Sequence, residues 1–214
     1  MCFSAAASFT SGAILSVAGV TTLKKVNRRK DIPFAIIPLL FGIQQLAEGV
    51  VWLSLTNNNQ TCTAVSSYSF LFFAFILWPA FVPFVAGQGE RDKVRKRIFH
   101  LFQIGGLSVT LYFLYFLINN PLTTYVNQHS ISYQIFSPYQ FSVASAYVFF
   151  TCGSLLFSRR NILKLFGAAS TVAVAITYYF YQHAFTSVWC FFSGILSMII
   201  YWHFRKNKRH QRNG

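Results

Sequence analysis

Glu48 is the residue of this sequence whose type and position most demand a chemical reason. It lies in the stretch FGIQQLAEGVVW, residues 41–52, where Gln44, Gln45 and Glu48 interrupt an otherwise apolar run. Phe41, Gln45, Glu48 and Trp52 recur at i, i+4, i+7 and i+11, with Gln44 one turn before Glu48, so on a 3.6-residue helix these side chains share a face. A carboxyl group flanked by two amides can serve as a general base, ligate a metal or exchange a proton. Complementary groups lie elsewhere in the chain. HAFTSVWCFFSGILS places His183, Ser187, Cys190, Gly194 and Ser197 along another helical face, HSISY supplies His129, Ser130 and Tyr133, and Cys2 stands near the start. Carboxylate, imidazole and thiolate are the ligand types of Zn²⁺ and of copper, so Glu48, His129, His183 and Cys190 form a candidate metal shell. Glu48 and Cys2 are the candidate catalytic groups, and Gln44, Gln45, Trp52, Ser130, Tyr133 and Ser187 the candidate contacts to a bound small molecule. No local ligand spacing such as CxxC or HExxH occurs, so the fold has to assemble any such site.

Composition says what kind of elements position these residues. Of 214 residues, 54% are hydrophobic and 10% charged, against roughly a quarter charged in a soluble domain. Seven apolar stretches are near or above the ~20 residues needed to cross a bilayer, at 4–22, 32–55, 64–87, 98–118, 139–158, 162–182 and 184–204. The expected fold is all-α: a polytopic membrane protein, one bundle of seven transmembrane helices over residues 1–204, with a basic cytoplasmic tail at 205–214. No internal repeat or linker divides it. The first stretch has its positive charges after it and none before it, as a retained helix has and a secretory signal peptide does not.

The net charge of +14 has the same explanation. Lys24, Lys25, Arg28, Arg29 and Lys30 follow the first span; Arg91, Lys93, Arg95, Lys96 and Arg97 follow the third. Arg159, Arg160 and Lys164 flank the turn from fifth to sixth, and Arg205, Lys206, Lys208, Arg209 and Arg212 follow the seventh, which accounts for all 18 basic residues. Seven crossings put every cluster on one side, and the positive-inside rule makes that side cytoplasmic, with the N-terminus outside. Six or eight crossings break the alternation. Clusters separated by long uncharged spans are not a nucleic-acid-binding face, so the expected partner is the lipid bilayer. The opposite loops, TNNNQTCT, NNPLTTYVNQHSISYQIFSP and YQHAF, contain no Lys, Arg, Asp or Glu.

Of the four acidic residues, Asp31, Glu90 and Asp92 lie beside basic clusters and read as solvated; Glu48 alone falls inside a span. It precedes Leu55 by seven residues, about 10 Å below the outer end of its helix. An isolated carboxylate there costs several kcal/mol, which directs Glu48 to the bundle interior. The plainer explanation is a protonated acid acting as interhelical glue through Gln44, Gln45 or a backbone carbonyl. Cys2, Glu48, His129, His183 and Cys190 share the outer half of the bundle. Taken singly, each histidine reads as an interfacial residue bonded to a loop carbonyl and Cys190 as a small buried apolar residue. Cys2 could instead pair with Cys62 in an oxidising compartment. Pro79 and Pro83 of WPAFVPF are expected to kink the third helix, and Asn59 heads a glycosylation sequon.

Four stretches, MCFSA at 1–5, PLLFGIQQLAEGVVW at 38–52, HSISY at 129–133 and HAFTSVWCFF at 183–192, together resemble an uncharacterised family of small bacterial membrane proteins that begin Met-Cys-Phe-Ser-Ala. The resemblance spans the whole chain and implies a seven-helix protein of the bacterial inner membrane, with no assigned activity. A looser similarity is to the seven-helix zinc hydrolases that include alkaline ceramidases and adiponectin receptors, which use three histidines with serine and aspartate; here the intramembrane acid is a glutamate and two histidines lie on its side. Three readings stand open. One is a metal-dependent hydrolase with Zn or another transition metal on His129, His183 and a cysteine. The second is a receptor or transporter for a small solute or proton, with Glu48 titrating, and the third a structural or partner-binding protein.

Overall fold

The computed structural model describes residues 4–127 and 130–212, the last six of them by backbone alone. Seven helical spans within it are long and apolar enough to cross a membrane: α1 (Ala5–Leu23), α2 (Arg29–Thr56), α3 (Gln60–Gly87), α4 (Lys93–Asn119), α5 (Gln140–Phe157), α6 (Asn161–Phe180) and α7 (Gln182–Lys206). They match the seven expected stretches, with ends moved by a few residues. Several starts are set by a side-chain cap, which satisfies backbone N–H groups left over in a first helical turn. Ser4 accepts from the Ala7 N–H at 3.2 Å, Asn59 from Cys62 at 3.0 Å and Asp92 from Arg95 at 2.9 Å. The sequon asparagine is therefore a helix cap. At the other end of the chain, helix Met198–Arg212 continues α7 through residues expected to form a separate tail. Basic residues suit the negative end of a helix dipole, so their density is no bar to helix.

The spans close on themselves. α1 lies along α2, α2 along α3, α3 against α4 and α5, α5 against α6, α6 against α7, and α7 returns to α1 and α2. The approach of α1 to α2 depends on glycine: a Cβ on Gly42 would stand 2.7 Å from the backbone nitrogen of Ser16. Leu15, Phe34, Ile37, Trp78, Leu155 and Phe166 fill the centre.

α3 is not a continuous α-helix. Gln60–Leu71 passes into a π-helical stretch, Phe72–Leu77, before Trp78–Gly87, which carries Pro79 near its start and Pro83 inside. Pro79 has no N–H for the carbonyl one turn earlier and its ring crowds that carbonyl, so the helix widens there. Neighbouring spans take up carbonyls in and after the widened turn. Tyr147 Oη donates to Ala74 O at 2.8 Å, Thr110 Oγ1 to Ile76 O at 3.2 Å and Gln103 Nε2 to Ala80 O at 2.9 Å.

The α4–α5 connection, read from sequence as a loop, contains a β-hairpin: β1 (Thr123–Asn127) pairs antiparallel with β2 (Ser130–Gln134), Thr123 opposite Gln134 and Asn127 opposite Ser130. Among the described residues the architecture is otherwise helical. An isolated two-stranded hairpin is marginal in water. This one is held on the bundle by Ile131, fully buried against Val51 and Trp52 near the end of α2.

At the opposite end the basic clusters meet. Arg160 pairs with Asp31 at 3.1 Å, Glu90 with Arg95 at 2.9 Å and Arg159 at 3.8 Å, and the Lys25 ammonium stands 4.6 Å above the Tyr201 ring. Arg95 Nη2 also donates to the Phe157 carbonyl. Glu90, expected to be solvated, is instead a shielded junction whose side chain is 6% exposed. The Arg95 hydrogen bond, with backbone N–H groups of Asp92 and Arg91, holds its carboxyl below the ordinary carboxylate range.

Candidate functional site

The inward face of α2 carries a buried polar network. Gln44, Gln45 and Glu48 are completely buried, as their one-sided spacing requires. Ser187 Oγ donates to Glu48 Oε1 at 2.5 Å and Gln45 Nε2 to Glu48 Oε2 at 3.2 Å. Gln45 Oε1 in turn accepts from Ser11 Oγ at 3.4 Å, Gln44 Oε1 accepts from Trp78 Nε1 at 2.8 Å, and the Gln44 side chain meets that of Cys190. One carboxyl group and its two amide neighbours thus join α1, α2, α3 and α7. Among the described residues no cationic side chain pairs with Glu48. Hydrogen-bond donors meet the polar demand of the carboxyl instead, as a buried acceptor requires.

α7 begins with a 3₁₀ turn, Gln182–Ala184, that presents His183 to the hairpin. His183 Nε2 lies 3.3 Å from Ser130 Oγ, and the His183 carbonyl accepts from Ser132 Oγ at 2.8 Å. Ser130 Oγ also donates to Asn127 O at 3.2 Å. These bonds stitch β2 to the start of α7. One turn further along α7 is Ser187, on Glu48; nearly another turn on is Cys190.

Beside this network, at the hairpin end, lies a cavity of about 690 Å³ walled by Tyr133, Phe113, Tyr147, His183, Trp189 and Cys190 among others. A second, narrower space of about 40 Å³ lies against the other side of Tyr147, Trp189 and Cys190 and is bounded also by Trp78 and Phe166. Those three residues are a partition. Tyr147 stands edge-on to Trp189 with centroids 5.2 Å apart, and its hydroxyl is tied to the π turn of α3.

The residues singled out from sequence therefore fall into groups. Glu48, Gln44, Gln45 and Ser187 make one network, which Cys190 touches; His183, Tyr133 and Cys190 line the cavity, and Ser130 supports His183. Trp52 is elsewhere, packed with Val51 and Ile131. Cys2 and His129 lie outside the described residues, and with them one candidate nucleophile, one candidate ligand and any Cys2–Cys62 bond. Among the described residues no three His, Cys, Asp or Glu side chains converge as a metal shell requires. Of the candidate ligands, Glu48 bonds Ser187 and Gln45, Cys190 meets the Gln44 amide and His183 meets Ser130. Trp78 and Tyr147 were not singled out. Their signal was position: polar-tipped aromatics in mid-span, away from the interfacial belts where they usually sit, need a buried partner.

No curated protein and no solved structure matches this chain. The model of a family of unknown function, DUF6629, matches it over residues 1–214, and the chain belongs to that family.

Proposed function

We propose that this is an integral membrane protein of the bacterial inner membrane, crossing seven times with its hairpin end outside, and that it acts as a receptor or carrier for a small molecule. In this reading the ligand occupies the cavity of about 690 Å³ and Glu48 is the proton-exchanging group behind its wall. An apolar exterior supports the membrane setting: Leu101, Ile104, Leu111 and Ile118 of α4 are all largely exposed, as suits hydrocarbon rather than water. The gathering of Asp31, Glu90, Arg95, Arg159 and Arg160 at one end supports the orientation through the positive-inside rule.

One observation carries the ligand reading. Ser187, which holds Glu48, lies on α7 between His183 and Cys190, both in the cavity wall. A change of charge at Glu48 acts on Ser187 and so on a helical turn flanked by cavity residues, giving each site a physical means of biasing the other. The test is binding or flux as a function of pH in proteoliposomes. Glu48→Gln is expected to remove the pH dependence while leaving a folded protein; an unaltered pH profile in that variant refutes the role given to Glu48.

A further inference from the structure

We infer that the seam between α1 and α7 holds an anionic phospholipid of the cytoplasmic leaflet, its phosphate among basic side chains at the inner end and an acyl chain in the groove above them; this rests on the membrane placement proposed above. Charge is the first argument. Lys24, Lys25, Arg28, Arg29 and Lys30 follow α1, and packing brings Arg205 and Lys206 of α7 to the same corner: the Lys25 ammonium lies over the Tyr201 ring, and Phe34 packs on Phe204 with centroids 5.7 Å apart. All of these basic side chains but Lys25 are exposed. Among the described residues none has an acidic partner, because Asp31, the acid in their midst, is paired with Arg160. Cations gathered without counter-ions repel one another, and an external anion relieves that repulsion.

Depth and shape say which anion. Trp202, 61% exposed with the Arg205 guanidinium 5.8 Å from its ring centroid, and the exposed Ile32 accompany these charges. That aromatic and apolar company belongs to the headgroup layer, where basic clusters at the cytoplasmic end of a span attract anionic lipid. A soluble polyanion gains nothing from it. From the charges an apolar strip leads into the bilayer. On α1, Ala7, Ser11, Ile14 and Lys25 fall at i, i+4, i+7 and i+18, one face of a 3.6-residue helix; on α7, Ile195, Met198, Trp202 and Arg205 do the same at i, i+3, i+7 and i+10. Ala7, Ser11, Ile14, Ile195 and Met198 line a groove of about 520 Å³ whose walls include no Lys, Arg, Asp or Glu. A groove of that lining at hydrocarbon depth takes a lipid chain, and the register joins the chain to a head at the basic end.

The experiment is fluorescence quenching by brominated lipid in bilayers of phosphatidylcholine and phosphatidylglycerol. Trp202 is the reporter, since Trp52, Trp78 and Trp189 are buried. Brominated phosphatidylglycerol is expected to quench it at about one fifth of the mole fraction that brominated phosphatidylcholine needs, the worth of one basic contact at the headgroup layer. Lys24→Gln, Lys25→Gln and Arg205→Gln together bring the two lipids level. Lys93→Gln, Lys96→Gln and Arg97→Gln together remove as much charge from α4, outside the seam, and leave the preference; an equal loss there means diffuse surface charge and overturns the site. A second reporter, Ile14→Trp in a Trp202→Phe chain, reads the groove with lipids brominated at the chain end, and absence of the same preference overturns the place given to the chain. Equal quenching of wild type by both lipids overturns the proposal and leaves the membrane placement standing; no quenching by either removes both. Single-stranded RNA bound by wild type and lost in the seam variant, with no lipid preference, makes the corner a polyanion site and the lipid assignment wrong.

Discussion

Replacing Ser187 by alanine tests the buried network at its shortest bond. The Ser187 side chain is fully buried and its Oγ lies 2.5 Å from Glu48 Oε1, while the other described bond to Glu48, from Gln45, goes to Oε2 at 3.2 Å. Ser187→Ala therefore leaves one buried carboxyl oxygen without its donor. Stranding a buried acceptor costs about 1–3 kcal/mol, more if it is charged. For a chain of this size each kcal/mol moves Tm by about 2–4 °C, so a loss of about 2 kcal/mol appears as a fall of about 4–8 °C. Glu48→Gln is expected to cost about 1 kcal/mol or less: its oxygen keeps Ser187, and a flip of the Gln45 amide lets that side chain accept from the new NH₂. Combining Ser187→Ala with Glu48→Leu removes donor and acceptor together, so the double variant falls short of the summed single losses by about 1–2 kcal/mol. Thermal unfolding in detergent, followed by intrinsic fluorescence, reads all five proteins, the wild type, Ser187→Ala, Glu48→Gln, Glu48→Leu and the double variant, without touching a tryptophan. A Ser187→Ala Tm within about 1 °C of wild type, or strictly additive losses in the double variant, would refute the network as drawn.

Gly42→Leu is expected to lower stability by at least about 1–3 kcal/mol, because the added side chain meets the Ser16 backbone at 2.7 Å, whereas Gly153→Ala, facing the Phe102 ring edge at 3.3 Å, stays near neutral; paired Tm measurements decide. Arg95 keeps the Glu90 carboxyl below its ordinary range, so the stability from this junction is fully present above the unfolded-state value of about 4.3 and is lost as pH falls through the lower folded value. The stability advantage of wild type over Glu90→Gln is accordingly constant near neutrality and shrinks progressively once pH falls below the unfolded-state value of about 4.3; an advantage that stays constant through the acid range contradicts it. In a Cys2→Ser, Cys62→Ser background, a membrane-impermeant maleimide is expected to label Gln60→Cys in intact cells at once and Lys96→Cys only after permeabilisation, and the reverse pattern overturns the orientation.

The π turn, the hairpin and the cavity were not legible in the sequence for distinct reasons. Pro79 and Pro83 announce a disruption of α3, but whether it becomes a kink or a π turn depends on contacts from other spans, here Tyr147, Thr110 and Gln103 on the carbonyls of Ala74, Ile76 and Ala80. The hairpin did leave a local trace, since Thr123 to Val126 and Ile131 to Tyr133 are rich in β-branched and aromatic residues. Strands of five residues, however, are decided by burial, and Ile131 is buried only because Val51 and Trp52 lie beneath it.

By itself the sequence determined the seven spans, the collection of all basic clusters at one end and the inward turn of Glu48. Each is a one-dimensional property: the length of an apolar run, the number of such runs between one basic cluster and the next, or a spacing read against 3.6 residues per turn. Only the tertiary structure decided that Glu48 bonds Ser187 and Gln45, that His183 clasps Ser130 and Ser132 of the hairpin, and that Tyr147, Trp189 and Cys190 divide one space from another. Residues at one depth in a bundle share a level but not a neighbour. Which of them touch is set by helix rotation and by close contacts such as Gly42 on Ser16, a three-dimensional fit that composition and periodicity do not encode.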